Sequence, residues 1–251
     1  MRIKNKEIVI LMYHRVNIIQ KELCVTEENF KRQLAYLKKK NYNIISLDLA
    51  VNMIRTGEIK KKSIVLTFDD GYEDFYTNAW PLLKQYGYSS IAYIVPGYIE
   101  SSRVFPWDKD LGESRLMNWS QIIALNQFGL VSFGSHSQNH YDLDKLDCKC
   151  VEYELGRSKQ IIEEKLGKEI KHFSYPRGIY TQLHKRIVQD MYDTGVLIFD
   201  GDPLTNTLST DSLMRLKRIP VQRSDGYLLF VARIKGWLVM EEILKRFFSK
   251  H

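Results

Sequence analysis

Ser63-Ile64-Val65-Leu66-Thr67-Phe68-Asp69-Asp70-Gly71 is an apolar, β-rich run that ends abruptly in two carboxylates and a glycine. Residues 63–68 suit a strand buried in a sheet. The acidic pair behind it is costly, because like charges repel and burial opposes both ionised forms. A divalent cation relieves that conflict for one of the two. Gly71 lets the chain turn sharply beneath them.

Outward from this run, strands and helices alternate in both directions. Toward the N-terminus the patterning predicts a strand at 7–13, a helix at 26–40, a short strand at 43–46 and a short helix at 47–55. Thr26 suits an N-cap, Glu27 and Glu28 the first turn, and Lys38, Lys39 and Lys40 the negative end of the helix dipole. Toward the C-terminus, helices are expected at 73–85, 119–128, 147–166 and 181–191. Strands are expected at 90–95, 131–134, 171–175, 196–199 and 216–221, with a long loop over 96–118. Such βα repetition predicts a distorted (β/α) barrel of about seven parallel strands, with its active site at the strand C-terminal ends. The reactive residues fall where that rule requires. His14 follows the first strand, Asp69 and Asp70 the run at 63–68, His136 the run at 131–134, and Tyr175-Pro176 the run at 171–175. One domain over residues 1–251 is expected, with a helical tail from about 225.

Lys and Arg outnumber Asp and Glu by 37 to 30, a formal charge of +7. This suits an anionic partner such as a phosphorylated carrier or a membrane surface. Nucleic acid is not an expected partner, because no basic stretch is interleaved with aromatics in a binding pattern. Cys24, Cys148 and Cys150 are an odd number, which builds no disulfide framework. The apolar run after Lys6 ends at Tyr13-His14-Arg15, too short for a secretory segment, so the chain reads as cytoplasmic. The tail places Trp237, Leu238, Ile243, Leu244, Phe247 and Phe248 among Lys and Arg. It is expected to pack on the barrel as a helix, with peripheral contact to the inner membrane surface as the alternative.

His136-Ser137-Gln138-Asn139-His140 is the second chemical feature. Histidines four apart share one face of a helical turn, so both rings can reach one metal. Two histidines and one carboxylate leave positions open for water and substrate, the arrangement of a catalytic metal site.

Together, Thr67-Phe68-Asp69-Asp70-Gly71 and His136-Ser137-x-x-His140 resemble the first two motifs of the polysaccharide deacetylases, carbohydrate esterase family four, also called the NodB-homology domain. Phe173-Ser174-Tyr175-Pro176-Arg177-Gly178 and Arg218-Ile219-Pro220-Val221 are similar to later motifs. The resemblance implies a metal-dependent hydrolase that removes acetyl groups from N-acetylated sugars of a glycan or glycolipid precursor. It implies Asp70, His136 and His140 as metal ligands, Asp69 as general base, and the backbone N–H of Arg177 as oxyanion donor. The ion implied is zinc, with cobalt, nickel and iron(II) also suited to such a set. An O-acetyl esterase, a deformylase of a lipid-linked sugar, and an inactive glycan-binding module are the competing readings.

The chain departs from the commonest family pattern twice. No Leu-x-His stands near the C-terminus to act as acid. Met12-Tyr13-His14-Arg15-Val16 instead resembles the N-terminal Tyr-His motif of the poly-N-acetylglucosamine deacetylase-like subgroup, which implies His14 as acid. The arginine that orients the base in the third motif is replaced by Ser174, which leaves Arg218 or Arg15 for that task. Trp107, Trp119, Tyr98, Tyr175 and Pro176 are candidate sugar contacts, with Trp119 more suited to the core.

Overall fold

Strand β1 (Ile8–Tyr13) is buried at every residue, and so is β5 (Ser63–Phe68), to which it pairs in parallel along its whole length. Strands covered on both faces carry continuous apolar runs, which accounts for the lack of alternation in both sequences. The computed structural model describes residues 8–59, 61–111, 115–198 and 210–235.

The elements run in chain order as β1, β2 (Arg15–Val16), β3 (Cys24–Val25), α1 (Glu27–Lys39), β4 (Asn43–Ile44), α2 (Leu47–Thr56), β5, α3 (Trp80–Tyr86), β6 (Ser90–Ile94), α4 (Trp119–Phe128), β7 (Val131–Ser135), α5 (Cys148–Leu166), β8 (His172–Ser174), α6 (Gln182–Met191), β9 (Thr194–Ile198), β10 (Leu216–Pro220) and α7 (Tyr227–Ile234). Going round the sheet, β1, β10, β9, β8, β7, β6 and β5 pair in turn, and β5 pairs back to β1. Seven parallel strands therefore close a barrel, as expected. The short strand β4 stands outside the ring. It pairs with Ser63 and Ile64 at the start of β5, while β6 takes Thr67 and Phe68 at its end.

Local chemistry sets the helix boundaries. Thr26 caps α1 by accepting from the Asn29 N–H, with Glu27 and Glu28 in the first turn and Lys38 and Lys39 in the last. Asn118 and Gln121 form a capping box at α4, and Thr181 and His184 another at α6. His184 is thereby committed to a helix end. The helix expected at 73–85 opens instead as a wide π-type turn, Phe75–Ala79, before α3. Pro81 is the cause, since it has no N–H to give to the preceding turn.

The expected tail is described through α7 and Lys235, and residues 236–251 lie outside the described part. Among the described residues no helix is long and apolar enough to cross a membrane.

Candidate active site

Four strands of the barrel, β5, β7, β8 and β10, hand their ladders on by one further hydrogen bond at the C-terminal end. The Asp69 N–H donates to the Tyr13 carbonyl (2.9 Å), His136 N–H to Ile94 (3.0 Å), Tyr175 N–H to Val196 (3.0 Å) and Val221 N–H to Met12 (2.9 Å). The residues just past β1, β5, β7 and β8 are thus drawn to one mouth. A cleft of about 980 Å³ opens there, lined by His14, Asp69, Asp70, His136, His140 and Arg218 among others.

Asp69 is held by Arg218 from β10. The guanidinium donates to both carboxylate oxygens, NH1 to Oδ1 and NH2 to Oδ2, each at 2.6 Å. Ser174 Oγ adds a third donor at 3.2 Å and itself accepts from Arg218 at 2.9 Å. Burial alone raises the Asp69 pKa, but Arg218, with His136 and His14, outweighs it and holds the carboxyl well below the usual carboxylate range. Of the two arginines open in the sequence, Arg218 is the one on Asp69. Arg15 turns away, with Nε on Asp74 at 2.8 Å and its guanidinium 4.4 Å from the Tyr72 ring centroid.

Asp70 has the opposite environment. Burial, with the charges of Asp69 and Asp108 added, raises its pKa well above the usual carboxylate range. It sits in the left-handed region at φ 71°, followed by Gly71 at φ 77°. Its Oδ1 is buried without a hydrogen-bond partner, 3.6 Å from His136 Nε2 and 3.5 Å from His140 Nε2. One ligand atom from each of these residues lies within 4.8 Å of the other two. His136 Nδ1 is 2.7 Å from the Ser174 carbonyl. A carbonyl only accepts, so Nδ1 carries the proton and Nε2 presents its lone pair toward Asp70. An orphaned carboxylate oxygen facing a bare imidazole nitrogen is the chemistry of a cation site.

The two histidines do not share a helical turn as expected. β7 ends at Ser135, and residues 136–140 form a loop turned by Ser137 at φ 62° and His140 at φ 56°. Those left-handed residues bring the rings to 4.7 Å, edge to face, where a helix would have done so by its pitch. Burial is the main cause that lowers the pKa of His136 to about 4 and of His140 to about 3. His14 also falls to about 4, chiefly through burial, with Asp69 opposing. Its Nδ1 is buried without a hydrogen-bond partner.

The remaining candidates divide. Arg177 lines the cleft, with its backbone left-handed at φ 56° inside the turn Pro176–Gly178, and its side chain pairs with Asp142 at 3.1 Å. Tyr175 lines the cleft as a buried wall and donates from its hydroxyl to the Met214 carbonyl at 3.2 Å. Pro176 is buried in that turn and is not among the lining residues. Trp107 lines the cleft, 40% exposed. Tyr98 and Trp119 do not: Tyr98 is buried behind Phe105, and Trp119 is buried at the start of α4.

Sequence reading missed the groups that orient these residues. Tyr72 accepts from Trp107 Nε1 at 2.9 Å and donates to buried Asp108 at 2.7 Å. Glu154, in the second turn of α5, holds Asn139. No spacing in the chain signals either contact.

The family profile for polysaccharide deacetylases matches residues 56–196. The protein YxkH of Bacillus subtilis (strain 168) is 25% identical over 180 residues, which are 71% of this chain and 60% of that protein. A poly-beta-1,6-N-acetyl-D-glucosamine N-deacetylase of Staphylococcus epidermidis is 24% identical over 167 residues, 63% of this chain and 55% of that protein. The chain thus spans less than two thirds of the length of these two curated relatives. The structure of the Streptococcus pyogenes deacetylase PplD in complex with acetate superposes with a TM-score of 0.78 at 25% identity, covering 92% of this chain and 99% of that one. The matched stretch carries Asp69, Asp70, both loop histidines and the Tyr175–Gly178 turn, while His14 and Arg218 complete the same cleft from outside it, and on this ground the chain belongs to the polysaccharide deacetylase family.

Proposed function

We propose that this chain is a metal-dependent N-deacetylase acting on N-acetylated hexosamines of a glycan or glycolipid precursor. The observation that carries this reading is the Asp70–His136–His140 cluster beside a carboxylate held by Arg218, on one cleft. Asp70, His136 and His140 would hold the ion, and zinc suits the set, with cobalt, nickel or iron(II) also compatible. A divalent ion there supplies positive charge that activates a water and polarises an acetyl carbonyl.

The chain's own groups do the rest. Asp69, kept ionised and oriented by Arg218, takes a proton from the attacking water. The Arg177 N–H steadies the oxygen that becomes negative. The C–N bond then breaks, and His14 gives the leaving nitrogen its proton, so that acetate and a free amine result.

Trp107 supports a sugar as substrate. One face of its ring stacks on Phe105 at 4.7 Å, its Nε1–H is fixed by Tyr72, and the half-exposed ring borders the cleft. Sugar C–H faces pack on such rings.

The test is acetate release from N-acetylglucosamine oligomers by chelator-stripped and metal-restored protein. Acetate should form only after restoration. Protein that holds stoichiometric metal yet releases no acetate from any N-acetylated glycan would overturn the reading.

A further inference from the structure

The loop that carries both histidines is gripped from behind by α5. Glu154 is only 4% exposed, and Asn139 uses its carboxylate twice. Oε2 accepts the Asn139 backbone N–H at 2.7 Å, and Oε1 accepts its side-chain Nδ2–H at 2.6 Å. The backbone carbonyl of Glu154 accepts from the Gln138 N–H at 3.1 Å. From the other side, the Gly97 N–H donates to the Gln138 carbonyl at 2.9 Å, and Arg103 donates to the Asn139 amide oxygen. His140 is the next residue.

This grip opposes a real strain. Ser137 and His140 are both left-handed, and neither is glycine. Such residues cost on the order of 1–3 kcal/mol each and persist only where their surroundings over-determine them. Inside the loop, the His140 N–H to Ser137 Oγ bond at 3.0 Å is a single neutral hydrogen bond. Bonds to a buried carboxylate are about twice as strong. They fix the Gln138–Asn139 peptide plane and the Asn139 side chain, one residue before His140, and a rotation there would swing its imidazole away from Asp70.

We propose that Glu154 is a positioning residue for the metal: acting through Asn139, it fixes the His140 backbone so that Nε2 stays on Asp70 and His136. The proposal rests on those three residues being the ligands. Glu154 itself spends both oxygens on Asn139.

The experiment is a cobalt titration of the chelator-stripped full chain, followed by visible absorption. Glu154→Gln replaces one acceptor oxygen with an amide that faces a donor. Cobalt affinity should fall about 10–100-fold, as for other groups that orient ligands. A brace of the whole fold would weaken binding in any background, so the decisive arm is a cycle with His140→Ala. In that background Glu154→Gln should change the affinity by less than about twofold. An equal loss in both backgrounds, or no loss in the parent, overturns the proposal. Should Glu154→Gln fail to fold, Asn139→Ala enters the same cycle with the same expected pattern and the same overturning result. Parent protein that takes up no cobalt overturns the ligand assignment and this proposal together. Cobalt uptake without coupling overturns Glu154 alone.

Discussion

Asp69 and Asp70 are adjacent, yet their surroundings drive them apart. Arg218 holds one ionised, whereas burial and its neighbour's charge favour the protonated form of the other until a cation arrives. Asp69→Asn removes the proposed proton acceptor and leaves the cluster intact. We expect acetate release to fall about 10²–10⁴-fold with metal content unchanged, checked by elemental analysis beside the assay. A near-normal rate would put the base elsewhere. Arg218→Ala leaves Asp69 buried and unpaired, so stability should drop by about 3–5 kcal/mol in urea unfolding. His14 is tested by leaving group. An amine needs a proton to depart and an activated aryl oxide needs little, so His14→Ala should slow amide cleavage far more than aryl acetate cleavage. Equal losses on both would make His14 a packing residue.

At the scale of elements, the strands supply precision, and β7 shows how. A Cβ on Gly134 would meet the Tyr93 ring at 2.5 and 2.6 Å and the His172 carbonyl oxygen at 2.8 Å. The backbone oxygen cannot rotate away, so Gly134→Ala must push β7 off β8 and move His136, two residues on. A loss of about 1–3 kcal/mol in urea unfolding and weaker metal binding are expected. Gly156 in α5 is the contrast, since its Cβ would meet only the Met191 methyl at 3.9 Å. Gly156→Ala should be neutral or stabilising by about 0.4–1 kcal/mol, read from the same urea curves. These cases mark where the sequence was legible. Buried runs such as 63–68 announce strands, and Thr26 or Asn118 announces a helix start. The acidic pair and both histidines announced themselves by following strands. The choice of Arg218 over Arg15 as the partner of Asp69, Glu154 behind Asn139 and Tyr72 beneath Trp107 did not. Each depends on barrel closure or on packing between elements far apart in the chain, which leaves no periodic trace. The helical turn expected for His136 and His140 failed because a four-residue spacing is equally served by a loop with two left-handed residues.

At the scale of the whole molecule, the cluster couples stability to pH and to metal. In the metal-free protein His14 and His136 titrate at about 4 and His140 at about 3, against about 6.5 in an unfolded chain. Between those limits the unfolded chain binds more protons, so stability rises with pH through about 4–6.5 and is lost as pH falls. Asp70 works the other way. Its raised pKa means the folded state keeps a proton that the unfolded chain gives up above about 3.9, so its contribution falls as pH rises. Three histidines outweigh one carboxylate, and the metal-free protein should be firmer at pH 7 than at pH 5. A bound ion needs the ligands deprotonated and removes the penalty on Asp70, so its stabilisation belongs to the neutral side. At a hundredfold excess over Kd it should amount to about 2.7 kcal/mol. Urea midpoints with and without metal should therefore stand well apart at pH 7 and converge by about pH 4. In the His136→Ala/His140→Ala double variant the two curves should coincide at every pH. A metal-dependent gap that survives in that variant, or one that stays constant with pH in the parent, would mean that the ion sits on other groups.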